Sequence, residues 1–112
     1  MIKGTHTIIF TKDAEADREF FNEVLKFPHV DTGGGWLIFK MPPSEMAFHP
    51  GESNGHHLFY LLCEDIKEFI DLMTEHKISC SEIREEPWGL IVEITLPGGG
   101  QLGVYEPLHK RP

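Results

Sequence analysis

The sequence predicts an α+β domain whose sheet is built on two copies of one strand–helix unit. Three observations predict it. The first is the stretch 55–73, GHHLFYLLCEDIKEFIDLM, which opens on two histidines and runs through an unbroken apolar segment at 58–63. It turns at Glu64-Asp65 into a segment whose apolar residues Ile66, Phe69, Ile70 and Met73 fall at helical spacing. The second is an earlier copy, with an apolar run at 6–10, an acid at Asp13, and a helical face of Phe20, Phe21, Val24 and Leu25. Aligning Asp13 with Asp65 sets Phe20 against Leu72 and His6 against Leu58. The third is a matched pair of β runs, each opened by a tryptophan (Trp36, Trp88) and closed by a proline turn (Pro42-Pro43, Pro97-Gly98). An internal repeat of this kind decides architecture before any single motif does.

In chain order, residues 1–12 read as an opening strand, with His6, Ile8 and Phe10 sharing one face. Thr11 or Asp13 caps a helix whose first turn carries acids suited to its positive end. That helix is expected to run to about Lys26, before Pro28. Asp31-Thr32-Gly33-Gly34-Gly35 is a hairpin turn into the β run 36–40. A phosphate cradle would instead have to lead into a helix N-terminus. A short strand is expected at 45–49, and the polar linker 51–55 marks the seam between halves. The second half then gives a strand at 57–63, a helix at 65–76, a short strand near 77–80, and β runs at 88–96 and 101–105. Each half is thus β-α-β-β-β, and the 112 residues form a single domain of module 1–50, linker 51–55 and module 56–107.

Composition bounds the partners. Ten Lys and Arg against 18 Asp and Glu give a formal net charge of −8. Nucleic-acid affinity comes largely from cationic neutralisation of phosphates, so a nucleic-acid partner is not expected. With 40% hydrophobic and 25% charged residues and no apolar run of membrane-spanning length, a cytoplasmic protein is expected. Cys63 and Cys80 lack the spacing of a structural zinc site and read as half-buried thiols.

The order of elements, with three local motifs, resembles the vicinal oxygen chelate superfamily of glyoxalase I, bleomycin-resistance proteins and extradiol dioxygenases. The motifs are His6 with Asp13 and Phe20-Phe21, then Cys63-Glu64-Asp65-Ile66, then the ending 96–107, LPGGGQLGVYEP. The resemblance implies paired βαβββ modules forming a curved mixed sheet around a cleft. It also implies a homodimer and, in metal-dependent members, a divalent ion (Fe, Mn, Ni or Zn) held by inward-pointing His, Gln or Glu. Set against that pattern, His6 stands at the first ligand position. Leu58 occupies the second, with His56 and His57 just before it, and Gly103 stands where the final strand should offer an acid. Alternation along the strand favours His56 over His57, and Glu45, Glu93 or Glu106 could supply a carboxylate.

The expected cleft wall is Phe10, Phe48, Tyr60, Trp88 and Tyr105. The leading expectation is a small-molecule-binding protein without the full lyase metal site. The alternative is a divalent-metal lyase or ring-cleaving dioxygenase using His6 and His56 or His57. A third is an interaction module whose cleft is filled by Phe10, Phe48, Tyr60 and Tyr105.

Overall fold

A computed structural model describes Met1 and residues 6–112. Its elements are α1 (Ala14–Glu23), β1 (His29–Asp31), β2 (Leu37–Phe39), β3 (Tyr60–Leu62), α2 (Ile66–Glu75), β4 (Arg84–Glu86), β5 (Gly89–Thr95) and β6 (Gln101–Pro107). The fold is α+β, with a mixed sheet ordered β3-β6-β5-β4 and a separate β1-β2 hairpin. In the mixed sheet β3 runs parallel to β6, while β6-β5 and β5-β4 are antiparallel.

The two helices carry the repeat most clearly. Each is ten residues long and begins immediately after a capping aspartate. The Asp13 carboxylate accepts from the Ala16 amide at 3.0 Å, and Asp65 accepts from Lys67 and Glu68 at 2.9 and 3.2 Å. The N-terminus of α2 has a second acceptor. Glu106 on β6 reaches across the sheet edge and takes the Ile66 amide at 3.0 Å. Helix α1 stops at Glu23, short of the expected Lys26, because the chain turns through a left-handed Lys26 at φ 59°. Lys77 makes the same turn after α2.

The hairpin turn also follows the sequence. Asp31 accepts from the amides of Gly33 and Gly35 at 2.8 and 3.2 Å, and all three glycines there have positive φ. Arg18 of α1 lies over the Trp36 ring, 4.6 Å from its centre, and fastens the hairpin to the first helix.

Three strand expectations differ from the structure. Residues 6–12 and 45–49 form no ladder with other described residues, although both alternate in the β manner; residues 2–5 of the expected opening strand lie outside the described residues. The strand expected near 77–80 is reduced to one bridge, Cys80 with Ile94, and the paired strand falls later, on the charged run at Arg84–Glu86. Charge on an edge strand is how sheets avoid pairing with a neighbour, so the run suits the position it takes.

One face of the sheet is buried. Leu61, Val92, Ile94, Leu102 and Val104 pack with Phe20, Phe21, Ile66, Met73 and Leu96 into the core. Asp17 joins α1 to the β5-β6 turn. It is buried, and one of its carboxylate oxygens accepts from the Gly98 amide at 2.7 Å. A Cβ at Gly98 would run into Asp17 and Thr11, so the turn can approach α1 only as glycine.

Candidate functional site

Strand registers define the opposite face of the sheet. Tyr60 pairs with Gly103, Gly103 with Glu93, Tyr105 with Ile91, and Ile91 with Arg84. Side chains alternate along a strand, so these residues share the face turned away from the core. A cavity of about 690 Å³ lies over it. Tyr60, Ile91 and Gly103 lie in its floor and wall, with His57, Glu82, Arg84, Glu93 and Gln101 as its polar lining.

Next to this cavity stands a packed aromatic trio. Tyr60 and Tyr105 meet edge to face at 5.4 Å, Trp88 and Tyr105 at 5.0 Å, and Tyr60 and Trp88 at 6.2 Å. Such pairs are worth about 0.5–1.5 kcal/mol beyond their area burial. Two glycines make room for the rings. A Cβ on Gly103 would lie 2.5 Å from the Tyr60 ring, and one on Gly89 would lie 2.7 Å from Tyr105. Trp88 is brought to the group by the two-residue Pro87-Trp88 connection between β4 and β5. Burial, followed by the nearby Glu45 carboxylate, raises the Tyr105 phenol above its ordinary range, so it stays a neutral hydrogen-bonding group near neutrality.

The expected wall is partly assembled. Tyr60, Trp88 and Tyr105 come together, but Phe10 and Phe48 are 93% and 88% exposed and neither lines the cavity. The filled-cleft alternative therefore has no support from those two rings. All three candidate metal ligands are exposed, and of them His57 lines the cavity while His6 and His56 do not. This reverses the preference that alternation gave to His56. Residues 56–59 lie before the first ladder pair of β3, so strict alternation does not govern them.

The three candidate acids also separate. Glu93 faces the cavity, Glu106 caps α2 from the core side, and Glu45 is bound by Arg111, with the His109 ring nearby. The final-strand ligand position, Gly103, lies beneath the Tyr60 ring, which occupies the space a side chain would need. Among the described residues no three His, Cys, Asp or Glu side chains are placed to share a metal ion. The residues present do not fit the metal group that the sequence resemblance implies.

The cysteines are not placed as nucleophiles. Cys63 is pushed up to about 11 by burial, with Glu106 and Asp65 adding to the effect, and Cys80 is raised by burial. A thiol held protonated near neutrality supplies little nucleophilic thiolate.

Sequence reasoning did not select Ser81, Ile91 or Gln101, which also line the cavity, whereas Glu82 and Arg84 lie in the charged run 82–86 that the sequence offers as a cleft rim or a solvated edge. The available signal was alternation in β5, where Ile91 and Glu93 fall opposite the apolar positions Val92 and Ile94.

Solved structures of known proteins match this architecture along nearly its whole length. TnmS3, an antibiotic binding protein from Streptomyces sp. CB03234, is 19% identical, with coverage of 96% of this chain and 99% of that one and a TM-score of 0.64. A lactoylglutathione lyase from Agrobacterium tumefaciens is 17% identical, covering 93% and 92% at a TM-score of 0.66. A member of the glyoxalase/bleomycin resistance protein/dioxygenase superfamily from Sphaerobacter thermophilus DSM 20745 is 22% identical, covering 94% and 98% at 0.60. The fold is the vicinal oxygen chelate fold. No protein-family model and no curated protein sequence matches the chain. At these identities the likeness establishes the fold, and the chemistry has to be argued from the residues. Among the described residues no helix of this chain is long and apolar enough to cross a membrane.

Proposed function

We propose that this chain binds a small organic molecule on the open face of its sheet and acts as a binding protein rather than a metal-dependent lyase. The observation that carries the reading is the cavity over Tyr60, Ile91, Glu93 and Gly103, set beside a rigid aromatic trio. A concave apolar floor with a few convergent polar groups is the usual form of a small-molecule site.

Charge narrows the ligand. Glu82 and Glu93 both line the cavity, and the arginine lining it, Arg84, is turned to Glu86 at 3.7 Å. The local balance favours a ligand with an aromatic or apolar body and a cationic amine. The fold likeness to an antibiotic binding protein is compatible with this reading at the level of analogy.

Tryptamine and its neutral counterpart tryptophol, titrated by amide-resolved NMR, test the charge preference. In Glu93→Gln the amine is expected to lose about three- to tenfold in affinity while the neutral alcohol is unchanged, since only the charge-assisted bond is removed. Equal loss of both, or no preference for the amine in the wild type, would contradict the reading.

We also propose a cytoplasmic homodimer with residues 51–55 as the seam between its modules. Phe10, Met46, Phe48 and Leu58 expose large apolar surface on segments with no ladder partner among the described residues, which supports an interface with a second copy. Sedimentation equilibrium should return twice the chain mass, and Phe10→Lys with Phe48→Lys should shift it to the monomer. A wild-type monomer throughout the micromolar range would contradict the dimer.

A further inference from the structure

Between β2 and β3 the chain runs twenty residues, 40–59, without a helix or ladder. One side chain within this span is tied down from far away. Glu45, whose side chain is 22% exposed, accepts from Arg111 Nε at 2.6 Å, and His109 Nε2 lies 3.8 Å from its other oxygen. Arg111 also reaches the Pro43 carbonyl at 3.4 Å. The segment that makes these contacts starts where β6 ends. Leu108 extends the ladder by one bond, its amide donating to the Trp88 carbonyl at 2.9 Å.

His109 then turns onto the aromatic trio. Its ring centre lies 6.0 Å from that of Tyr105, and Nε2 lies 3.1 Å from the Tyr105 hydroxyl. Nδ1 is 3.0 Å from the Lys110 carbonyl, which can only accept, so Nδ1 carries the hydrogen. In the neutral ring Nε2 is therefore the acceptor for the Tyr105 hydroxyl. One segment thus holds the trio with its imidazole and the loop with its guanidinium.

We infer that residues 108–111 form a strap across the aromatic end of the open sheet face, latched to Glu45, so that release of this one carboxylate frees loop and strap together and uncovers Tyr105. The arrangement suits release more than permanent closure. The latch is a partly exposed ion pair, and such pairs hold a segment only weakly. A charge change at Glu45 is enough to move the population, whereas the sheet beneath is fixed by the core. The strap is independent of what the cavity binds.

Charge reversal tests it on the full chain at about pH 8, above the ordinary imidazole range. Nitration of Tyr105 by tetranitromethane, located by peptide mass, reads access to the ring. Backbone order parameters of 43–47 and 109–111 read the two segments. Arg111→Glu and Glu45→Arg should each raise nitration about two- to fivefold and lower the order of both segments from about 0.85 to below about 0.6. The double reversal Glu45→Arg with Arg111→Glu should return both readouts toward wild type. If each single reversal leaves the other segment ordered, or if the double variant behaves as the sum of the singles, the strap is refuted.

Discussion

Met73→Ala is expected to remove about 2–5 kcal/mol of stability, because it empties the most enclosed position of α2. Met73 is fully buried and belongs to the cluster of Ile66, Val92, Ile94 and Val104 behind the sheet. The neighbouring Leu72→Ala should cost well under about 1 kcal/mol, since Leu72 is 36% exposed and leaves little cavity. Urea unfolding of the two variants against wild type checks the pair. Equal losses would mean that α2 presents a different face to the sheet.

This contrast also marks how far the repeat can be read. Aligning Asp13 with Asp65 predicts both caps and the two tryptophan-led strands, since each is set by local chemistry, while both helices end sooner than expected. The same alignment sets buried Phe20 against exposed Leu72, while Phe21 and Met73, one position later, are both buried. Burial depends on what each helix meets, and the two helices meet different surroundings. The strands at 6–12 and 45–49 fail for a similar reason. Alternation states that a segment can pair, whereas a ladder needs an available partner edge.

Gly103→Val is the second large effect, with an expected cost of about 1–3 kcal/mol and loss of the aromatic end of the cleft. The new Cβ would sit 2.5 Å from two atoms of the Tyr60 ring, and that ring is held by Tyr105 and Trp88. The ring would have to leave its place, taking the trio's packing with it. In a Tyr60→Ala background the same substitution should be nearly free, so a double-mutant cycle should return a coupling of about 0.5–3 kcal/mol. Additive costs would place the strain elsewhere.

Part of this site was legible. The family resemblance sets Gly103 at the ligand position of the last strand, and alternation puts Tyr60 and Tyr105 on the cleft face. That Tyr60 covers Gly103 could not, because it depends on the parallel register of β3 on β6, and no local pattern encodes that register. The separation of Glu93, Glu106 and Glu45 into three environments was equally hidden. Adjacent positions on β5 and β6 face opposite sides of one sheet, and Glu45 is fixed by Arg111, 66 positions away.

The most direct test of the account is where a ligand lands. Tryptamine titrated into the nitrogen-labelled chain is expected to shift the amides of Tyr60, Ile91, Glu93 and Gly103 together, on one saturation curve. The core-facing Leu61, Ile94 and Val104, which do not line the cavity, should move less. Shifts confined to the outer face of α1 or to the β1-β2 hairpin would contradict a binding cleft on the open face of the sheet.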